Sequence, residues 1–356
     1  DELTAQAVRD RDQLLARLKA LGIVQLGKRH ALTAALLRRG SDGAAVAHEG
    51  SAAPMPLCTK PPSVLIGAQT APAAGASADG APGPRCALLL FGLPKLFRGR
   101  VLPLMTRKLI EQIPLPCDVF AHTYDITTTT NPRNREQDCA LDPSEVEAAA
   151  PLAFELQSQD AVDAAQQAAL ERLKRFGDAW HNDFGSLRNV LREANSLARA
   201  HALMEAAEEQ AGARYALVCC SRMDVLYVDK LPTDCVAELR RTLDGAADPA
   251  VCFVPNFHEW RLSFNGISRT GGMNDRFAIG TRAAMRAYAA ERFDSFERFC
   301  EAKQLPLHTE TFLQWHMRQK RANVRRMHFR LQRLRANGEV HDGDRELLPN
   351  GGMADG

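Results

Sequence analysis

From residue 85 onward, short apolar runs alternate with longer segments of helical periodicity, and this alternation constrains the fold more than any other feature of the sequence. Continuous apolar runs this short are typical of strands that are buried on both faces of a sheet. Strands that alternate with helices predict an α/β fold, with a mostly parallel sheet and helices on both of its faces. The predicted strands are residues 86–91, 117–124, 215–220, 251–254 and 277–280, and the predicted helices include residues 101–112, 160–176 and a longer one from Ser186 to Gly212.

A stretch rich in alanine, glycine and proline divides the chain, since these three types make up twelve of the fourteen residues from 71 to 84. Such a stretch buries little and has no apolar periodicity, which predicts a disordered linker. Residues 1–70 are predicted to be a helical appendage or stalk, whose helices are a candidate surface for self-association. The α/β domain is predicted over residues 85–340, and residues 341–356 are predicted to be a flexible tail.

Charge and hydropathy exclude several classes of protein. The chain has 45 Lys and Arg against 43 Asp and Glu, a formal net charge of +2, which argues against a protein that coats a polyanion. No run of 18 apolar residues occurs, so no membrane span is predicted in this chain. The first residue is Asp1. Because this residue is not Met, the sequence leaves open whether a signal peptide or a membrane anchor precedes it.

Several well-known site motifs are absent from the sequence. It has no G-x-x-x-x-G-K-[ST] for a P-loop, and no G-x-G-x-x-G follows the first predicted strand. It also has no C-x-x-C, which removes the common zinc-ribbon and thioredoxin interpretations. The chemistry must therefore be sought in polar residues at the strand ends, because ligands of open α/β sheets bind outside the carboxyl ends of the strands.

The predicted strand at 215–220 runs directly into Arg222 and Asp224. Residues two apart in an extended segment point the same way, so the guanidinium and the carboxylate are predicted to face one site. There the arginine would pair with phosphate oxygens and the aspartate would ligate Mg²⁺ or Mn²⁺. The alternative is a salt bridge that only pins the loop.

Two further groups of polar residues are candidates. Asn274, Asp275 and Arg276 follow a Gly-Gly pair and precede the strand at 277–280, an arrangement that fits ligand binding and ordinary turn chemistry equally well. Glu310 stands at the start of a predicted helix, where a carboxylate also favours helix initiation. If Glu310 has a functional role, we expect its carboxylate to face a sugar hydroxyl.

Residues 318–335 contain eight Lys or Arg and no Asp or Glu. Such a run is either a nucleic-acid footprint or a positive rim around an anionic ligand. Because Phe329 is the only aromatic residue in the run, and because the whole chain is near neutral, we expect no nucleic-acid partner. His308, His316 and His328 lack the H-E-x-x-H spacing and are interpreted as ordinary histidines.

Taken in order, these motifs resemble a group of nucleotide-diphospho-sugar transferase-like proteins of GT-A type, found in algae, plants and bacteria. The resemblance covers roughly residues 85–340 and leaves out the first 84. The motifs that carry it are Phe91-Gly92 followed by Arg98, Asp118 to Tyr124, Tyr215 to Asp224, Asn274 to Gly280, His308-Thr-Glu310 and Arg333 to Gly338.

The resemblance implies a Rossmann-like GT-A sheet that binds a nucleotide-sugar donor and transfers its sugar to a glycan or another hydroxyl acceptor. It places Gly92 and Arg98 near the nucleotide, and Asn274, Asp275 and Arg276 along the sugar or acceptor side. Asp275 or Glu310 would deprotonate the acceptor hydroxyl. Many transferases that this chain resembles lie in the Golgi lumen behind an N-terminal anchor and stalk, so with an upstream anchor the resemblance implies that compartment, with residues 1–84 as the stalk, and without an anchor the cytoplasm.

The chain departs from the family at the metal site. Such enzymes usually hold Mn²⁺ or Mg²⁺ with Asp-x-Asp, but the equivalent position here reads Arg222-Met-Asp224, which puts metal dependence in question. An arginine can neutralise diphosphate charge by itself. The rival hypotheses are a non-catalytic relative that serves as a binding or scaffold module, and an RNA-binding protein that uses residues 318–335.

Overall fold

The computed structural model describes residues 63–66, 83–243 and 249–345. All of these belong to the unit that spans Thr59–Gly356, while the other unit, Asp1–Cys58, lies outside the described residues. The predicted appendage, apart from residues 63–66, therefore lies outside them too. So do residues 71–82 of the predicted linker and residues 346–356 of the predicted tail. No helix of the described residues is long and apolar enough to cross a membrane.

An eight-stranded sheet forms the centre of the described fold, in the order β1-β6-β3-β2-β7-β12-β9-β13. Strands β6, β3, β2 and β7 pair in parallel, and so do β9 and β13, whereas β12 runs antiparallel to both of its neighbours and β1 antiparallel to β6. The sheet is therefore mostly parallel, as predicted. Its strands are β1 (Ser63–Ile66), β2 (Cys86–Phe91), β3 (Cys117–Tyr124), β6 (Ala153–Gln157), β7 (Leu217–Arg222), β9 (Val251–Pro255), β12 (Phe277–Thr281) and β13 (Asn323–Met327).

Three two-stranded sheets lie outside this central sheet, and each is antiparallel. They pair β4 (Thr128–Asn131) with β5 (Glu136–Ala140), β10 (Arg261–Ser263) with β11 (Gly266–Ser268), and β8 (Val225–Tyr227) with β14 (Leu331–Arg333). The helices are α1 (Leu102–Lys108), α2 (Gln159–Lys174), α3 (Gly185–Ala211), α4 (Thr233–Leu243), α5 (Arg282–Ala289), α6 (Phe296–Lys303) and α7 (Thr309–Gln319).

Alternate residues of β2 show how the sheet is covered on both faces. Ala87, Leu89 and Phe91 belong to one buried apolar cluster, together with the inner faces of α3, α5, α6 and α7. Leu88 and Leu90 belong to a second cluster, with α1, α4 and the β8–β14 pair. A strand that is buried on both faces must be apolar throughout, which is why β2 could be recognised as a continuous run.

The predicted strands and long helices are confirmed within a few residues, but local details differ. The threonines after β3 favour extended backbone and form part of the β4–β5 hairpin, which was not among the predicted strands. The helix predicted from Ser186 begins one residue earlier, at Gly185, and Gly212 ends it with φ near 60°, as predicted.

The boundaries of the domain also differ from the prediction. Strand β1 lies upstream of the predicted linker yet pairs with β6, so the central sheet extends beyond residues 85–340. Asp344, in the predicted flexible tail, is fully buried and paired with Arg333. Strand β1 is held by a strand that is distant in sequence and Asp344 by a buried ion pair, and the local composition reveals neither contact.

Candidate functional site

A cleft of about 650 Å³ opens at the carboxyl ends of β2, β3 and β7. Because β12 runs antiparallel to β7, the residues just before β12 meet the same edge of the sheet. The cleft is also lined by the β4–β5 hairpin, by the first turn of α7, by Trp260 and Ile267 around the β10–β11 hairpin, and by Arg333 and Arg335. The fold thus brings chain segments that are far apart in sequence to the position where open α/β sheets bind their ligands.

Of the eight residues predicted from the sequence, six line this cleft: Gly92, Arg222, Asp224, Asp275, Arg276 and Glu310. Asn274 is fully buried beneath it, where its side-chain amide donates to Phe257 O at 2.9 Å and accepts from Arg276 N at 3.1 Å. Asn274 thus shapes the turn that carries Asp275 and Arg276. Its predicted contact with sugar or acceptor is not supported by this placement.

Arg98 does not line the cleft, so its predicted place near a nucleotide is not supported. It is exposed on the turn after β2, where its backbone N–H donates to Glu145 Oε2 at 2.9 Å. The backbone of this turn directs the side chain toward residues 144–145 instead. The direction of a side chain in an irregular turn could not be read from the sequence.

Arg222 and Asp224 form a closed pair at the end of β7. The Arg222 Nε donates to Asp224 Oδ1 and Nη2 donates to Oδ2, each at 2.8 Å, while Nη1 donates to Glu193 Oε2 at 3.0 Å. Burial by itself would raise the pKa of Asp224, but the Arg222 guanidinium holds it well below its ordinary value. Asp224 is therefore an ionised carboxylate whose two oxygens are already engaged.

This arrangement does not fit the predicted metal site. A divalent cation at Asp224 would compete with the guanidinium for both carboxylate oxygens. Within residues 83–243 and 249–345, no group of three or more His, Cys, Asp or Glu side chains is arranged to hold a metal ion. Hard divalent cations need several oxygen ligands, so one occupied carboxylate is a poor site.

Three carboxyl groups converge on the cleft from different elements: Glu193 of α3, Asp275 before β12 and Glu310 in the first turn of α7. Burial, followed by the nearby Asp275, raises the pKa of Glu193 to about 7 and that of Glu310 to about 8. At neutral pH the cleft therefore holds both a protonated carboxyl group, Glu310, and an ionised one, Asp224, and such contrasts are typical of sites of proton transfer.

His308 adds a neutral imidazole next to Glu310. Its Nε2 lies 3.6 Å from Glu310 Oε2, its Nδ1 lies 3.0 Å from Thr311 Oγ1, and its ring stacks on Trp180. Burial lowers the pKa of His308 to about 4. The imidazole is therefore uncharged at neutral pH and adds no positive charge beside Glu310.

Two arginines of the cleft carry guanidinium nitrogens that are buried and have no hydrogen-bond partner among the described residues. Arg276 is 3% exposed, and its Nε and Nη1 are unpartnered. Arg335 is 6% exposed, and its Nε is unpartnered. Burial lowers the pKa of Arg335 to about 10, so it remains charged at neutral pH. Buried cations without hydrogen-bond partners are costly, and an anionic ligand in the cleft would relieve that cost.

Glu193 and Arg335 line the cleft but were not among the site residues predicted from the sequence. Glu193 lies between Val190 and Leu197 on the apolar face of α3, and a charged residue in that position indicates a candidate site residue. Arg335 stood among the eight basic residues of 318–335 and could not be distinguished from them by composition.

The basic residues of 318–335 are distributed over α7, β13, β14 and the loops beside them, and they differ in whether they form ion pairs. Five of the eight pair with acids of other segments, and this weakens the RNA-binding hypothesis because paired cations are poorly available to a phosphate backbone. The five pairs are Lys320–Glu291, Arg325–Glu238, Arg326–Glu259, Arg330–Asp229 and Arg333–Asp344.

Comparison with known proteins shows weak structural similarity only. No family model matches the chain, and no curated protein matches it. Among solved structures, the apo form of mouse xyloside xylosyltransferase 1 matches with a TM-score of 0.34 and 9% identity, covering 69% of this chain and 85% of that one. A Bacillus anthracis protein described as a glucose-1-phosphate thymidylyltransferase, in complex with sucrose, matches with a TM-score of 0.27 and 8% identity, covering 70% and 89%.

Proposed function

We propose that this chain transfers a sugar from a nucleoside-diphosphate donor to a hydroxyl acceptor. The observation that carries the proposal is that one cleft contains a cluster of carboxyl groups and two buried arginines with nitrogens that have no hydrogen-bond partner among the described residues. Arg276 and Arg335 supply the charge that a diphosphate needs, and Asp275 and Glu310 supply groups that can take a proton. The motif resemblance described above supports the same class of reaction.

The two carboxyl groups suit different tasks. Because burial and the charge of Asp275 raise the pKa of Glu310 to about 8, Glu310 is the protonated member at neutral pH. Asp275 is then the better candidate for the general base that accepts the acceptor's hydroxyl proton. Glu310, as a neutral acid, can donate a hydrogen bond to a sugar hydroxyl.

The reaction balances without further reagents. The acceptor oxygen forms a bond to the anomeric carbon of the sugar while the bond from that carbon to the distal phosphate oxygen breaks. The electron pair of the broken bond remains on the leaving nucleoside diphosphate. Arg276 and Arg335 would stabilise the growing negative charge there, which lowers the barrier if they contact it more closely in the transition state.

The test is to incubate the full chain with a panel of UDP-, GDP-, ADP-, CDP- and dTDP-sugars and to follow release of the nucleoside diphosphate by ³¹P NMR. We expect turnover of at least one donor. Asp275→Asn should reduce the rate by about 10²-fold or more, as expected for loss of a general base. Asp160→Asn, at an exposed position at the start of α2, is the matched control.

The outcomes separate the rival hypotheses. A donor that binds but is never turned over, with water or with any sugar acceptor, would support the non-catalytic binding module. Absence of binding across the whole panel would refute the proposal for both catalytic and binding roles toward nucleotide-sugars.

A further inference from the structure

We infer that this site holds the diphosphate with arginines alone and without a divalent metal ion. In this arrangement Arg276 and Arg335 contact the phosphates, and Arg222 acts as the fixed counter-ion of Asp224. The inference rests on the proposed function, because it assumes that the anionic ligand of the cleft is a nucleoside diphosphate.

Asp224, the carboxylate expected to hold a metal, is already paired with Arg222. Arg222 binds both oxygens of Asp224 at 2.8 Å, and Asp224 is only 4% exposed. Arg222 is itself held from its other side by Glu193 Oε2 at 3.0 Å. A metal ion would have to displace a guanidinium that is anchored by two acids, and it would leave that guanidinium buried without its main partner.

Arg276 and Arg335 lie beside this pair, and among the described residues their buried nitrogens named above form no hydrogen bond to an acid. Leu334 N donates to Asp224 O at 2.7 Å and Arg222 N donates to Arg276 O at 3.2 Å, so backbone bonds fix both segments to the end of β7. The guanidinium of Arg276 lies over the Phe257 ring, with 5.7 Å between Cζ and the ring centroid. An aromatic face supports the cation but leaves its N–H groups available to a ligand.

Arg333 provides an internal comparison, because it lies two residues before Arg335 and also lines the cleft. Its Nε and Nη2 donate to the two oxygens of Asp344 at 2.8 and 2.7 Å. Arg333 is therefore paired with a buried acid, whereas the buried Arg335 Nε has no hydrogen-bond partner among the described residues. A nucleotide-sugar carries one negative charge on each phosphate, and two forked guanidinium groups match two phosphates in charge and in geometry.

The experiment titrates the full chain calorimetrically with UDP, GDP, ADP, CDP and dTDP, each once in excess EDTA and once with MnCl₂. We expect at least one nucleoside diphosphate to bind in EDTA, with an affinity within about 3-fold of that in Mn²⁺. The EPR signal of Mn²⁺ should show no immobilised ion beyond that in a protein-free mixture with the same nucleotide.

Variants identify the residues responsible. Arg335→Met and Arg276→Met should each weaken binding by about 10-fold or more, the usual range for a charge-assisted hydrogen bond. Arg240→Met, on the exposed side of α4, should leave it unchanged. The melting temperature without nucleotide should not fall in Arg335→Met, since the buried Arg335 Nε has no hydrogen-bond partner among the described residues. Only the rise that nucleotide produces should be lost.

Binding that appears only with Mn²⁺, or binding in EDTA that survives both arginine substitutions, would overturn this inference and leave the proposed function standing. Absence of binding under both conditions would instead overturn the proposed function itself.

Discussion

Arg222 and Asp224 stand two positions apart at the end of β7, and two hydrogen bonds of 2.8 Å join the guanidinium to both carboxylate oxygens. Neither partner can be removed without leaving a buried charge, because Asp224 is 4% exposed and Arg222 also holds Glu193. The pair thus fixes the centre of the cleft before any ligand enters.

The first prediction concerns the stability of this pair. Asp224→Asn should lower the free energy of unfolding by about 3–5 kcal/mol, because it breaks a buried ion pair and keeps one of its charges. The double variant Arg222→Met/Asp224→Asn should be less destabilised than the sum of the single variants. Urea unfolding of all four proteins measures the coupling, and strictly additive effects would contradict the prediction.

The second prediction concerns pH. The pKa of Glu310 is about 8 in the folded protein against 4.5 for an ordinary glutamate, so the folded state binds more protons than the unfolded state between these values. Its contribution to stability is therefore fully present below pH 4.5 and is lost as the pH rises through about 8. Glu310→Gln should be more stable than the unsubstituted protein at pH 9, by roughly 1–3 kcal/mol, and not at pH 4.

Urea unfolding at several pH values measures this difference. Glu147→Gln, at an exposed position, is the control and should follow the unsubstituted protein at every pH. A Glu310→Gln variant with the same pH profile as the unsubstituted protein would show that Glu310 does not titrate in this range.

The third prediction concerns the close approach of backbone before β12. A Cβ atom on Gly272 would lie 1.9 Å from Trp260 O, a clash that only backbone movement can relieve. Gly272→Ala should therefore displace the turn that carries Asp275 and Arg276, lowering both stability and nucleotide affinity. Gly99→Ala, where an added Cβ meets nothing within 4 Å, should do neither. Calorimetric titration and thermal unfolding of both variants check this, and equal behaviour would count against it.

The fourth prediction concerns the buried hydroxyl of Ser196 on α3. It accepts a hydrogen bond from Gly92 N at 2.9 Å and lies 2.9 Å from His122 Nδ1, so it ties the end of β2 to β3. Ser196→Ala should cost about 1–3 kcal/mol, because the half-buried Gly92 N–H and the buried imidazole and carbonyl of His122 each lose a hydrogen-bond partner. Ser144→Ala, at an exposed position, is the comparison in urea unfolding, and a loss no larger than in that variant would refute the role.

Much of the fold could be predicted because its causes are local. Strands β2, β7, β9 and β12 are largely apolar runs, since a strand that is buried on both faces has no side that faces solvent. The long helix α3 could be predicted for the same kind of reason, from apolar positions that repeat along one face. Strand β1 was missed because four residues carry little periodicity and their pairing with β6 is a distant contact.

The candidate site divides in the same way. The sequence by itself determined that polar residues such as Arg222, Asp224 and Asp275 follow or precede buried strands, and the regularity of parallel sheets then brings them to one edge. Only the tertiary structure decided what each polar group contacts. Asp224 pairs with Arg222 and Asp344 pairs with Arg333, whereas the buried Nε of Arg335 has no hydrogen-bond partner in the part of the chain that the structure describes. Such pairings depend on which segments meet in space and on burial, and neither is encoded in the spacing of residues along the chain.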